Sequence, residues 1–304
     1  MWLLVVLFGA PIAGIVLAGV WWAASGRRLG LPLGAVAVLT GIAGLLGVLA
    51  DFLVRLVGAW NLLVQDGPRL TLPDWYLDYR FTIPILVGVL GLVILAFPVT
   101  TRGAAGAADL TPRSPVTFAL GWWFAPPAAI LVVILIITFT AGAASEPDPE
   151  TGRYIMYMVD GGVMSVGTSI YGWFYSTPAM VALAVLLIVT AVDLILIARP
   201  AMEEDREADA RVRRIRTRNV LTVTTGAMLV HLGLLFGSLA GTAAVQGSAS
   251  TSQGLMMMWT PIAALEPVFR GAAYVSAALG IALWVSVALT AIPTRRRVPV
   301  TAST

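Results

Sequence analysis

Long apolar runs, and the way charge is kept out of them, constrain what this chain can fold into more than any other feature. Seven runs stand out, at 1–24, 33–57, 81–100, 116–144, 175–198, 220–244 and 272–293. A hydrocarbon core about 30 Å thick needs roughly 20 apolar residues per helical crossing, which is the scale of these runs. With 59% hydrophobic and 12% charged residues and a mean hydropathy of +0.89, the 304 residues read as a single all-α polytopic membrane domain. A β-barrel would show short alternating segments instead.

Orientation follows from arginine. All 19 basic residues are Arg, and no Lys occurs. The first run resembles a secretory signal in length, but Arg27 and Arg28 follow it instead of preceding it, so it reads as an uncleaved helix that enters from outside. The inside segments are then 25–32, 101–115, 199–219 and 294–304. They carry 14 arginines, against four in the outside loops (Arg69, Arg80, Arg153 and Arg270). The expectation is seven transmembrane helices, N-out and C-in. Heavy use of Ala, Gly and Arg without Lys is the habit of a GC-rich bacterial genome, so the expected site is a bacterial plasma membrane.

The stretch 199–219, a charged cytoplasmic loop, holds five acidic residues and seven arginines. Glu207 with Arg211 and Asp209 with Arg213 are spaced i,i+4 in the favourable order, which predicts a helical extension. Arg211, Arg213, Arg214, Arg216 and Arg218 would then lie beside the inner leaflet and anchor it through anionic lipid headgroups. Such membrane-flanking clusters are no sign of nucleic-acid binding.

The missing residue types exclude much chemistry. There is no Cys, so disulfides, thiol catalysis and thiolate metal sites are ruled out. Without Lys there is no Schiff base, pyridoxal attachment or P-loop lysine. One His, His231, cannot build a multi-histidine centre alone. Asp51 and Asp193 fall at opposite ends of their runs and cannot form a catalytic dyad. Neither an enzyme acting alone nor a cofactor is expected.

Two runs carry polar faces. In the second, Gly34, Ala37, Thr40, Gly41, Gly44 and Gly47 share a strip that Asp51, Arg55 and Gly58 continue. Small residues let helices approach closely in lipid, so the strip should face the bundle. Asp51 and Arg55 could line the mouth of a cavity, or simply hold the helix end as an interfacial pair. In the sixth run, Gly226, Gly233, Gly237 and Gly241 form one ridge, with Thr224, His231, Ser238 and Thr242 roughly opposite. A helix without a purely lipid face belongs at the centre of the bundle. His231 reads as a ligand or proton contact, or more plainly as a neutral imidazole hydrogen-bonded to a neighbour. Asp193 should pair with an inside arginine.

Three outside loops are long: 58–80, 145–174 and 245–271. Asp160-Gly161 between apolar, β-prone runs predicts a small extracytoplasmic hairpin between helices four and five. The third loop begins polar and is expected to be flexible, then turns apolar, with a short interfacial helix after Pro261. Met156, Met158, Met256, Met257 and Met258 lie in these loops, and thioethers can select Cu(I) if the loops meet; the competing reading is adaptable packing. The segments GWWFAPPA and GWFYSTPA look alike, as recurring interfacial helix starts or as an internal repeat. The functions left are a permease-like protein or a membrane subunit of a transport or envelope complex. Beside these stand a non-catalytic scaffold that binds a protein partner through its outer loops, and Cu(I) handling.

Overall fold

The computed structural model describes residues 2–24, 30–31, 34–63, 70–97, 118–119, 121–162, 164–198, 206–251 and 254–292. Arg27, Arg28, Arg69, Arg102, Arg113, Arg199 and Arg295 to Arg297, which carry much of the orientation argument, lie outside the described residues.

Helix dominates. The elements are α1 (Trp2–Ala24), α2 (Ala35–Leu63), α3 (Asp74–Tyr79), α4 (Ile83–Ala96), α5 (Ala125–Ala143), α6 (Trp173–Ala198), α7 (Arg206–Ala243) and α8 (Glu266–Thr290). Among the described residues, six helices are long and apolar enough to cross a membrane. The third expected span is shorter than its apolar run: α4 has 14 residues, about 21 Å of helix. Pro84 starts it. Phe97 ends it in an extended conformation (φ −89°, ψ 157°), as a residue before proline favours, and Pro98 follows. The charged stretch departs from a loop in the other direction. From Arg206 onward it is the first part of α7, continuous with the sixth span for 38 residues.

Side-chain pairings show how the helices run. Leu7 and Phe8 of α1 meet Arg55 and Phe52 of α2, so these two are antiparallel. Along α2, Gly41, Gly44 and Gly47 meet Ala291, Ala288 and Trp284 in descending order, so α8 also opposes α2. Helix α7 opposes α8 (Gly226 by Gly280, Gly233 by Ala277) and opposes α4 (Ala227 by Gly88, Val223 by Gly91). Helix α6 opposes α7, with Thr190 by Thr224 and Ile197 by Arg213. Helices α1, α4, α6 and α8 thus run one way and α2 and α7 the other. Helix α7 is central: 72% of its most apolar stretch is buried, against 17 to 44% for the other five long helices. Its core neighbours include Leu92, Ile134, Leu186, Ile281 and Trp284. Apolar residues on the outward faces of α1, α2, α5 and α6, such as Val20, Leu53, Ile136 and Ile188, are exposed, as a lipid-facing surface requires.

One end of the bundle carries all the strands found among the described residues. β1 (Glu146–Pro147), β2 (Tyr154–Asp160) and β3 (Ser165–Ser169) form a three-stranded antiparallel sheet in that order. Asp160 pairs with Ser165 at the turn, where the Asp160 carboxylate accepts the Gly162 amide at 2.8 Å. A second hairpin, β4 (Gln246–Thr251) with β5 (Gly254–Trp259), replaces the flexible segment expected there. Its residues Gln-Gly-Ser-Ala-Ser-Thr have little strand propensity; pairing with the apolar β5 holds them extended. The helix expected after Pro261 is one tight turn at Ala263–Leu265 that feeds straight into α8.

A polar cleft at the hairpin end

The cleft starts from glycine. A Cβ on Gly44 would stand 2.5 Å from the Ala288 nitrogen and 2.7 Å from the Trp284 carbonyl oxygen, both backbone atoms that cannot yield. Helices α2 and α8 therefore touch along the small-residue strip. Gly47 and Gly226 leave room between them for the Trp284 indole, which is 2% exposed and donates its Nε1 hydrogen to the Val223 carbonyl at 3.3 Å. Beyond Trp284, towards the hairpins, the helices diverge and leave a cleft of about 60 Å³. Val54, Val87, Val230 and Leu234 form apolar walls, and Asp51, Tyr76 and Arg80 supply the polar groups.

Asp51 and Arg55 meet in a two-point ion pair. Arg55 Nε donates to Oδ2 at 2.6 Å and Nη2 donates to Oδ1 at 3.1 Å. Arg55 Nη1 donates to the Leu7 carbonyl of α1 at 2.8 Å. The pair thus ties α1 to α2, and Asp51 also lines the cleft. Tyr76, from the short α3, is half-buried. Burial, then the Asp51 charge, push its phenol pKa up, which keeps it neutral and able to donate.

Arg80 was not among the sequence candidates. It follows α3, and its guanidinium carbon lies 4.9 Å from the Phe81 ring centre and 5.2 Å from that of Tyr175. Those rings belong to a continuous aromatic cluster. Phe81 packs on Tyr171 (4.9 Å) and Tyr175 (5.2 Å), and Tyr171 packs edge-on to the His231 ring at 6.1 Å. His231 Nδ1 is 2.8 Å from the Phe81 carbonyl oxygen, and the side chain is 1% exposed. The imidazole therefore bonds to a neighbouring segment across the bundle. It fixes the backbone that carries Arg80. The sequence signal for Arg80 was only its place between Tyr79 and Phe81 at the start of an apolar run.

The other candidates lie elsewhere. Thr224 forms a hydroxyl–hydroxyl hydrogen bond with Thr190 of α6 at 2.7 Å, deep in the bundle. Ser238 is half-buried, two turns beyond His231 and outside the cleft lining. On the glycine ridge only Gly226 and Gly233 meet α8; Gly237 and Gly241 face open space. Met156 and Met158 share the outward face of β2, across from Gly167. Met258 reaches the first hairpin, since a Cβ on Gly161 would lie 2.6 Å from its sulfur. Met257 alternates to the opposite face of β5 from Met256 and Met258, so the five thioethers do not share one face.

At the opposite end, three of the five anchor arginines turn inward. Arg213 pairs with Asp209 at 2.8 Å, donates to the Ile197 carbonyl and lies over Phe118. Arg216 donates to the Leu95 carbonyl at 3.1 Å and the Ala96 carbonyl at 3.4 Å, satisfying the last turn of α4. Arg218 stacks 4.5 Å from the Trp21 ring centre. Arg211 and Arg214 are exposed. Asp193 is buried in the field of Arg216, but its Oδ2 accepts no hydrogen bond.

No family model, curated protein or solved structure matches this chain. The architecture alone defines its class: a multi-pass, membrane-type helical protein.

Proposed function

We propose that the chain is a non-catalytic membrane subunit of an envelope complex, lying N-out and C-in, whose two hairpins receive a protein partner outside the membrane. The observation that carries this reading is the ordered, outward-facing hairpin pair. The Thr242 hydroxyl donates to the Ser169 carbonyl at 3.2 Å and the Thr260 hydroxyl to the Ala243 carbonyl at 3.1 Å, fastening both hairpins to the end of α7. Gly247 lies against Val166 and Met164, joining one hairpin to the other. On this platform Tyr154, Met158, Met257 and Trp259 are 40 to 54% exposed. Large apolar side chains held on a rigid polar-rimmed surface suit a protein interface, where aromatic residues and Met are enriched.

The core supports the same reading. Three of its polar contacts are closed between neighbours: Thr190 with Thr224, Asn219 Nδ2 with Thr290 Oγ1 at 2.9 Å, and His231 with Phe81. Trp284 closes the inner end of the cleft. The arginine asymmetry and these helix directions support seven crossings with α4 as a short member. Of the five described anchor arginines, the exposed Arg211 and Arg214 are left to meet anionic lipid on the cytoplasmic side.

The test is a photo-crosslinking amino acid at position 257 in native membranes, with position 49 as the lipid-facing control. The expected result is one discrete protein adduct from position 257 and none from 49. Met257→Ser with Trp259→Ser should release that protein while the subunit stays monodisperse. A platform that crosslinks to no protein in native membranes overturns the reading.

A further inference from the structure

The outer cleft contains a charge that the protein itself does not balance. At this end of the bundle Arg55 pairs with Asp51, Arg153 with Asp78 at 2.8 Å and Arg270 with Glu266. Arg80 has no carboxylate partner among the described residues, and its Nε is buried without a hydrogen-bond acceptor. Asp51 also lines the cleft, but both of its carboxylate oxygens are held by Arg55, so Arg80 is the lining charge without an ion-pair partner. An uncompensated cation in a partly dehydrated site is expensive, and the ring faces of Phe81 and Tyr175 offset only part of that. A second donor is at hand, since the Tyr76 hydroxyl also lines the cleft.

Size and polarity narrow the ligand. A volume of about 60 Å³ holds roughly five water-sized groups, enough for one compact oxyanion. Below the polar mouth the lining is Val54, Val87, Val230, Leu234 and Trp284. Leu234 is 39% exposed, so the apolar side of the cleft opens outward from the bundle. A free inorganic anion would use the mouth and leave those walls idle. We propose that this cleft binds the phosphate of an anionic phospholipid, with Arg80 and Tyr76 on the phosphate oxygens and the first methylenes of the lipid along the Val87–Leu234 wall. Arginine suits the role, because its fork matches phosphate geometry. The cleft lies at the hairpin end, so the lipid comes from the outer leaflet under the proposed orientation.

The experiment is native mass spectrometry and thermal unfolding of the full chain in mild detergent, titrated with phosphatidylglycerol, phosphatidylcholine or inorganic phosphate. Wild type should retain one phosphatidylglycerol at least fivefold more tightly than phosphatidylcholine. Arg80→Gln should lose that preference, Tyr76→Phe should weaken it severalfold, and Arg270→Gln should leave it intact. Leu234→Trp fills the apolar wall without touching Arg80, so it should expel the lipid from a folded protein even if Arg80→Gln proves unstable. Equal binding of phosphatidylglycerol by wild type and Leu234→Trp would overturn the proposal. So would inorganic phosphate that protects wild type as well as the lipid does, because the apolar wall would then contribute nothing.

Discussion

His231 shows how one residue can carry structure that its chemistry does not advertise. Its ring nitrogen meets the Phe81 carbonyl where the chain turns into α4, and its face supports Tyr171. His231→Leu keeps much of the volume but leaves a buried carbonyl unpaired. It should cost about 1–3 kcal/mol, read as a lowered unfolding temperature in detergent, with His231→Gln recovering part of it. At the surface, Asp148 accepts the Thr151 hydroxyl at 2.6 Å and the Glu150 amide at 3.3 Å, and these bonds hold its carboxyl below the usual range. A depressed carboxylate pKa favours the folded turn above the unfolded value, and that advantage disappears as pH falls through the lower folded value. Amide protection in 148–153, taken relative to the intrinsic exchange rate at each pH, should therefore fall below about pH 4. Asp148→Asn should remove that pH dependence.

At the scale of elements, close helix approach is the controlling contact. The Gly44 position faces backbone of α8 on two sides, so Gly44→Leu cannot be absorbed by a rotamer change. It should destabilise by at least about 1–3 kcal/mol and separate α2 from α8. Gly237→Ala, on the same kind of apparent ridge, faces open space and should be neutral within about 0.5 kcal/mol. Measured together by unfolding, the pair distinguishes glycines that pack from glycines that only look periodic. The small-residue face of α2 was legible in the sequence because helical spacing alone gathers it. The split within the α7 ridge was not, because it depends on where α8 lies against α7. The second hairpin was illegible for a similar reason: β4 lacks the residues that favour strands, and its partner makes it one.

The whole molecule lacks cysteine, which makes its orientation directly testable. Single cysteines at positions 160 and 250, in the two hairpins, should react with a membrane-impermeant maleimide on intact cells. One at position 211, in the charged part of α7, should react only after permeabilisation. The opposite pattern would reverse the orientation and place the cleft in the inner leaflet. Sequence alone determined the membrane class, the approximate spans and the direction in which the arginines pull, because bilayer thickness and charge cost act on composition, run length and loop position. It did not determine which charges stay available. Arg213, Arg216 and Arg218 read as lipid anchors and are seen to brace α6, α4 and α1 respectively, while Arg80 read as one more loop charge and stands unpaired over a cleft. Only tertiary structure decides that, because whether an arginine is satisfied depends on carbonyls, carboxylates and rings brought to it from helices far away in the chain.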